Sequence, residues 1–314
     1  MLNTAGMQGS AMKRKTFELS LERGDLLPML LMLPTLLVIF TVMVVPLFYG
    51  FALSLFDVGF GKKISAEAFL GFSNYIRFFK DPVALKAVFN TVIFSFGAIA
   101  GDLVLGTLCA VFLLKIPKFF SAALRPIVTI PLLVSPIVVG LTWRYIYDPK
   151  GILYWILGLF GLGIGNFPGV TSASTALLST IITHWWQVTP FVIIVLTAGL
   201  LAIPEELYEA ARIDGAGPFT TFFKITIPQL SKVYVIILLI SGVDTVKVFD
   251  IIYALTGGGP NNSSLSLSIY AYSNAFEQSN LSYSMAISFM TMVLTFLIFG
   301  IPFIRQNLSK SDRA

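Results

Sequence analysis

The stretch EAARIDGAG, residues 209 to 217, sits between two long apolar runs, with Glu209, Ala210 and Ala211 opening it and Gly215 and Gly217 closing it. It holds no catalytic constellation; its chemistry is that of a contact. Glu209 offers an acceptor, Ala210 and Ala211 permit close approach, and Gly215 allows a turn. A second set of polar residues lies inside apolar runs: Asp102, then Trp185-Trp186-Gln187, then Ser241, Asp244, Thr245, Lys247 and Asp250. Ionisable groups in such places are costly and mark function by default. Asp244, Lys247 and Asp250 stand three apart, so on one helix they can neutralise each other. Three readings stay open: a structural charge ladder against a neighbouring subunit, a contact for a polar solute, or a lipid-facing placement without a role. Trp185, Trp186 and Gln187 offer flat aromatic faces and a bidentate polar group to a solute, and the tryptophans equally suit a membrane interface. Asp102, with Gly101 and Gly106 beside it, reads as a packing or hydrogen-bond site against another helix.

Other candidates fail on spacing. GLGIG at Gly161–Gly165 follows no strand and opens no dinucleotide-binding unit, so it reads as an outer-loop turn. TGGGP at Thr256–Pro260 lacks the Gly-Lys-Ser/Thr ending of a phosphate-binding loop, and no such ending occurs elsewhere, so no ATP site of that kind is expected. Asn261-Asn262-Ser263 fits a glycosylation acceptor only as a short tripeptide that chance supplies. The single cysteine, Cys109, and single histidine, His184, lie in separate apolar runs, which excludes a disulfide framework or a Cys/His metal cluster. His184 has no acid and nucleophile near it in sequence, so nothing supports a hydrolase triad.

The elements that must carry these residues are membrane helices. The 314 residues are 56% hydrophobic and 12% charged, against about 25% charged in ordinary soluble domains. Mean hydropathy is +0.85. Six runs are long enough to cross a hydrocarbon core of about 30 Å: Leu27–Leu55, Phe89–Leu114, Ile127–Tyr147, Ala176–Leu200, Val233–Leu255 and Tyr283–Ile304. The first begins too late and runs too long for a cleaved signal peptide. Prolines interrupt several of them, Pro46 the first, Pro131 and Pro136 the third, Pro190 the fourth, and each removes a backbone hydrogen bond that neighbours must replace. The expected class is an all-α integral membrane protein with one domain at residues 27–304, between short tails at 1–26 and 305–314.

Basic residues set the orientation. Lys13, Arg14, Lys15, Arg23, Lys115, Lys118, Arg125, Arg212, Lys224, Lys232, Arg305, Lys310 and Arg313 share one side. Lys62, Lys63, Arg77, Lys80, Lys86 and Lys150 lie on the other. The bias places both termini in the cytoplasm. It also makes the net charge of +5 a matter of topology rather than of nucleic-acid binding. NYIRFFKDPVALKAVF, residues 74 to 89, is amphipathic and reads either as a helix along the outer interface or as a solvated loop.

Between the fourth and fifth spans, at residues 201–232, runs a cytoplasmic loop. Pro204 suits the first helical position, and Glu205 and Glu206 complement the positive end of the helix dipole. Ile203, Leu207, Ala210 and Ala211 recur at helical spacing as a small apolar side. Gly215 and Gly217 make the turn, and Pro218 opens a second short helix carrying Phe219, Phe222 and Phe223. The helix–turn–helix suits an interfacial hairpin tucked against the bundle or a docking element for a cytoplasmic partner.

The spacing of Glu209-Ala210-Ala211, Gly215, Ile225, Ile227 and Pro228 resembles the EAA signature of binding-protein-dependent ABC transporter permeases, with Ile227 where leucine is usual. WWQVTPFVIIVLTAGLLAIPEELYEAARIDGAG, FDIIYALTGGGP, GFSNYIRFFKDP and FNTVIFSFGAIAGDLVLG are similar to the carbohydrate-uptake branch, the maltose and glycerol-3-phosphate permeases. The resemblance implies the type I importer fold. It implies a non-catalytic subunit of a prokaryotic inner-membrane complex, paired with a second homologous permease, with two cytoplasmic ATPases that bind ATP and Mg, and with an extracytoplasmic solute-binding protein delivering a carbohydrate. It places Glu209, Ala210, Ala211, Gly215, Ile225 and Pro228 in the ATPase-coupling loop. The larger relatives carry extra N-terminal spans and a big external domain, and neither is expected here. The competing reading is a secondary transporter relaying protons through Asp102, Asp244 or Asp250; it leaves the loop unexplained.

Overall fold

A computed structural model describes residues 27–59, 61, 64–162 and 167–304. Both tails, Lys62, Lys63 and part of the GLGIG turn lie outside the described residues. The chain divides into two compact units, Met1–Ser54 and Leu55–Ala314.

The first unit contains α1 (Leu27–Ile39) and α2 (Val45–Ser54), joined without interruption by a π-turn at Phe40–Val44. Apolar on all sides, it suits immersion in lipid. The widened turn has a local cause. Pro46 lacks an N–H and its ring crowds the carbonyl four residues back, so the turn before it opens to admit one more residue. Pro228 and Pro302 repeat the arrangement, each two residues beyond the end of a π-turn, at Phe222–Thr226 and Phe296–Gly300.

The second unit runs α3 (Ser73–Lys80), α4 (Pro82–Lys115), α5 (Lys118–Thr129), α6 (Pro136–Ile146), α7 (Ile152–Leu159) and α8 (Ala176–Leu201). The loop pair α9 (Glu205–Ile213) and α10 (Pro218–Thr221) follows, then α11 (Ile227–Gln229), α12 (Ser231–Val246), α13 (Asp250–Leu255), α14 (Leu267–Tyr272) and α15 (Leu281–Thr295). Among the described residues, four helices are long and apolar enough to cross a membrane, and six if each of two bent pairs is one span.

The fourth and sixth expected spans agree with the structure to within two residues, at Ala176–Leu201 and Leu281–Ile304. The second is longer than expected. It begins at Pro82 because Asp81 caps it, its carboxylate accepting from the N–H of Val83 and Ala84. The amphipathic 74–89 segment is therefore not one helix: α3 takes its first part, and the rest is the first two turns of α4. The third span turns through 100° between Leu133 and Pro136. Its two prolines interrupt it as expected, Pro131 in the first turn of Ile130–Leu133 and Pro136 at the start of α6, whereas Pro190, expected to interrupt the fourth span, lies inside an unbroken α8. The fifth was expected to run unbroken to Leu255, but helix stops at Val246 and resumes at Asp250.

The frame of the unit is the pairing of α4 with α8. Small residues on α4 let α8 come close. At Gly101 an added Cβ would lie 2.0 Å from the Trp185 indole, whose N–H donates to the carbonyls of Gly97 and Ala98, both at 3.1 Å. Two apolar clusters lie along this seam. One gathers Phe94, Ile181, Ile252, Leu267 and Ile287, the other Leu113, Val192, Leu196, Leu230 and Ile237.

Gly101→Val drives a branched side chain into the indole, and overpacking of this kind costs about 1–3 kcal/mol. The melting temperature of the purified protein is expected to fall by several degrees. Gly158→Ala, whose added methyl meets nothing within 4 Å, should leave it unchanged or slightly raised. An unaltered melting point for Gly101→Val would mean that α4 and α8 do not pack in this way.

Candidate functional site

Two regions gather polar and functional residues: the 201–232 loop and the polar interior of the bundle with the groove beside it.

In the loop, helix begins at Glu205, one residue later than expected. Pro204 has ψ 133°, an extended value, and so occupies the capping position. Glu205 and Glu206 fill the first turn. The C-terminus of α9 closes in a Schellman turn: Gly215 has φ +71°, its N–H donates to Arg212 O at 3.1 Å, and the N–H of Ala216 reaches Ala211 O at 2.9 Å. Open space surrounds the Gly215 Cβ position, so its dihedral, rather than its size, demands glycine. Of the expected small apolar side, Ala211 is buried and Ile203 half-buried, while Leu207 and Ala210 face outward. Tyr208 takes the inner side instead, its hydroxyl 3.2 Å from Thr226 Oγ1, which ties α9 to the returning chain. Glu209 is exposed and pairs loosely with Arg212 at 3.8 Å. Ile225 is half-buried and Pro228 exposed. Ile213 and Phe219 are 87% and 81% exposed, an apolar surface that none of the described residues covers. A cleft of about 920 Å³ lies behind the loop, lined by Lys115, Glu205, Tyr208, Arg212 and Thr221.

Inside the bundle the polar residues singled out in the sequence separate into two groups. Trp185, Gln187 and Thr245 turn inward. Trp185 is engaged with α4 as described. Gln187 Nε2 donates at 2.9 Å to Val134 O, a carbonyl left free by the break in the third span. Thr245 Oγ1 donates to Gly242 O at 2.7 Å. Trp186, Asp244, Lys247 and Asp250 face out of the chain. Lys247 Nζ meets Asp244 Oδ1 at 2.9 Å. Because helix stops at Val246, Asp250 belongs to the first turn of α13, and the expected continuous ladder of three charges reduces to one pair.

Asp102 makes the interhelical contact its neighbours suggested. Its Oδ2 lies 3.2 Å from His184 Nε2 and its Oδ1 accepts from Thr189 Oγ1 at 3.2 Å, with Asp102 only 1% exposed. His184 thus has an acid beside it after all. Eighty-two positions of separation hid the pair from any motif.

Two features had weak signals or none. A groove of about 830 Å³ runs between α12, α14 and α15. Phe249, Tyr272 and Phe276 line it with Lys247, and Ser284, Ser288, Thr291 and Thr295 fall along one face of α15 and its continuation. Ring centroids lie 5.2 Å apart for Phe249 and Tyr272 and 4.9 Å for Tyr272 and Phe276. The hydroxyl stripe at helical spacing inside an apolar run was the legible trace of this face. The second feature is Asp81, which besides capping α4 accepts from Tyr270 and Tyr283, at 2.5 and 2.8 Å. The Arg77 guanidinium lies 4.0 Å over the Tyr283 ring. Burial pushes the Asp81 carboxyl up, but the two phenols and the N–H groups of Val83 and Ala84 outweigh it and hold it below its ordinary value.

Residues 102–304 match the model of a family described as binding-protein-dependent transport system inner membrane component. Over 285 residues the chain is 36% identical to the trehalose/maltose transport system permease protein MalF of Thermococcus litoralis, covering 90% of this chain and 94% of that one. It is 30% identical to the sn-glycerol-3-phosphate transport system permease protein UgpA of Pectobacterium atrosepticum, again over 90% and 94%. A crystal structure of a bacterial ABC transporter that imports the acidic polysaccharide alginate contains a chain of the same fold, with TM-score 0.77 at 20% identity over 95% of this chain and 99% of that one.

The Asp81 geometry has a pH signature. With the folded carboxyl held below its unfolded value of about 3.9, its stabilisation is full above that value and is lost as pH falls through the folded one. Asp81→Asn is expected to melt lower than wild type at pH 7. Titrating thermal unfolding down to pH 3 should narrow the gap, and a constant gap would exclude the linkage.

Proposed function

Since the chain belongs to the family of binding-protein-dependent transport system inner membrane components, we propose that it is one permease subunit of an ATP-driven importer of carbohydrates. It forms half of a translocation pathway with a second, homologous permease. It performs no bond chemistry itself. Two cytoplasmic ATPases bind ATP and Mg and engage the 201–232 loop, and a solute-binding protein outside delivers the cargo. The relative named for trehalose/maltose transport supports this solute class. Both termini lie in the cytoplasm of a prokaryotic cell, as the distribution of lysine and arginine favours.

The observation that carries the reading is the closure of α9 at Gly215. The Schellman turn ends the helix sharply and leaves Glu209 and the bare apolar side chains of Ile213 and Phe219 on an outward tip. A tip that transmits force must be rigid and rooted. Tyr208 and Thr226 tie its two arms together. Its return arm passes Pro228 to Leu230, which is 0% exposed and packs with Val192, Leu196 and Ile237 in the core shared by α4, α8 and α12. Beyond Leu230, α12 leaves at 61° to the arm. Displacement of the tip by a closing ATPase pair therefore turns α12 about a buried residue. The spans then open alternately outward, to take solute, and inward, to release it.

The test reconstitutes the whole transporter in vesicles. Gly215→Val places a β-branched residue where φ is +71°, a strain of about 1–3 kcal/mol. Insertion and assembly are expected to survive, ATP hydrolysis to continue and solute uptake to collapse. Uptake at the wild-type rate would refute the role given to the loop. With ATP held constant, a protonophore should leave uptake intact; its loss would instead favour proton coupling through the intramembrane carboxylates.

A further inference from the structure

The groove between α12, α14 and α15 has a specific chemical bias. Of its lining hydroxyls, four donate inward to backbone: Ser284 to Ala271 O at 2.6 Å, Ser288 to Ser284 O at 3.0 Å, Thr291 to Ile287 O at 2.9 Å and Thr295 to Thr291 O at 2.8 Å. A hydroxyl has one proton to give and two lone pairs to offer. With the proton used on the backbone, each of these presents only acceptor capacity to the groove. Lys247 is the one charged residue lining it among the described residues. Its ammonium is held by Asp244 at 2.9 Å, which cancels its charge. Phe249, Tyr272 and Phe276 supply apolar faces on which the C–H surface of a sugar ring can lie.

We propose that this groove receives an uncharged, polyhydroxylated solute, and that the Asp244–Lys247 pair is the specificity determinant that turns away phosphorylated or carboxylated counterparts. Sugar hydroxyls donate to the acceptor stripe and rest on the aromatics. An anion finds too few donors there, and a cation already neutralised. The inference rests on the permease reading above and assigns its solute class. A groove of about 830 Å³ falls within the range of roughly 300–1,000 Å³ usual for small-molecule sites.

The experiment uses the assembled permease–ATPase complex in lipid nanodiscs without its binding protein. Saturation-transfer NMR compares maltose and trehalose with sn-glycerol 3-phosphate and glucuronate at equal concentration. Wild type is expected to transfer saturation to the neutral sugars and little to the anions. Asp244→Asn frees the ammonium and should raise the anion signal about tenfold, given the strength of an unscreened charge at contact distance. The double variant Asp244→Asn/Lys247→Met should return it to the wild-type level. Both side chains are more than half exposed, so neither change threatens the fold. Anions saturating as well as neutral sugars in wild type, or an anion signal that ignores Asp244→Asn, would overturn the proposal. So would a Ser288→Cys thiol, in a Cys109→Ser background, that resists a small soluble reagent in the assembled complex, because the second permease would then fill the groove. Intact ATP-driven uptake beside any of these results would sink the groove assignment alone. Absence of ATP-driven uptake for every solute would remove the permease reading and this inference with it.

Discussion

Away from water, every backbone N–H and C=O must find its partner within the protein, and the rest of this structure depends on that constraint. A chain of unbroken helices meets it automatically. This one breaks two of its spans and repairs each break with a side chain from elsewhere. Where the third span turns, Gln187 from α8 reaches the freed carbonyl of Val134. Where the fifth stops, Ser266 caps α14 by accepting from Ile269 N–H and donates to Val248 O across the gap. Each repair also fixes a distance. Gln187 locks the bent span to α8, and Ser266 holds α14 against the gap in the fifth span, where the groove opens.

The polar interior follows the same logic. Asp102 is tolerated between α4 and α8 because His184 and Thr189 both reach it. The Trp185 N–H, which could have served a solute, instead stitches α8 onto the α4 backbone beside Gly101. Asp244, Lys247 and the tip of α9 are left facing outward.

Much of this was legible in the sequence. Apolar length located the spans, since no other signal is needed to place about 20 residues in lipid. The loop could be read because its signature is local: Glu209, Gly215 and Pro228 lie within twenty residues and each acts on its own stretch of backbone. Pro131 and Pro136 announced the bend in the third span. The stop at Val246 was not legible, because no proline or glycine marks Lys247–Phe249 and the group that makes the break affordable, Ser266, is almost twenty residues away. The Asp102–His184 contact and the groove stayed hidden for the same reason. Their members come from helices distant in sequence, and only packing brings them together. Asp81 was read as part of an amphipathic face, whereas its carboxylate serves three helices at once.

The three π-turns ahead of Pro46, Pro228 and Pro302 have a mechanical meaning. Each stores one residue more than an α-turn would hold. One residue is about 1.5 Å of axial travel and roughly a quarter-turn of rotation. A helix that carries such a surplus can absorb a small twist or stretch at a defined point and keep straight on either side. These prolines make joints with a built-in allowance, placed within the first and last spans and in the return arm of the 201–232 loop.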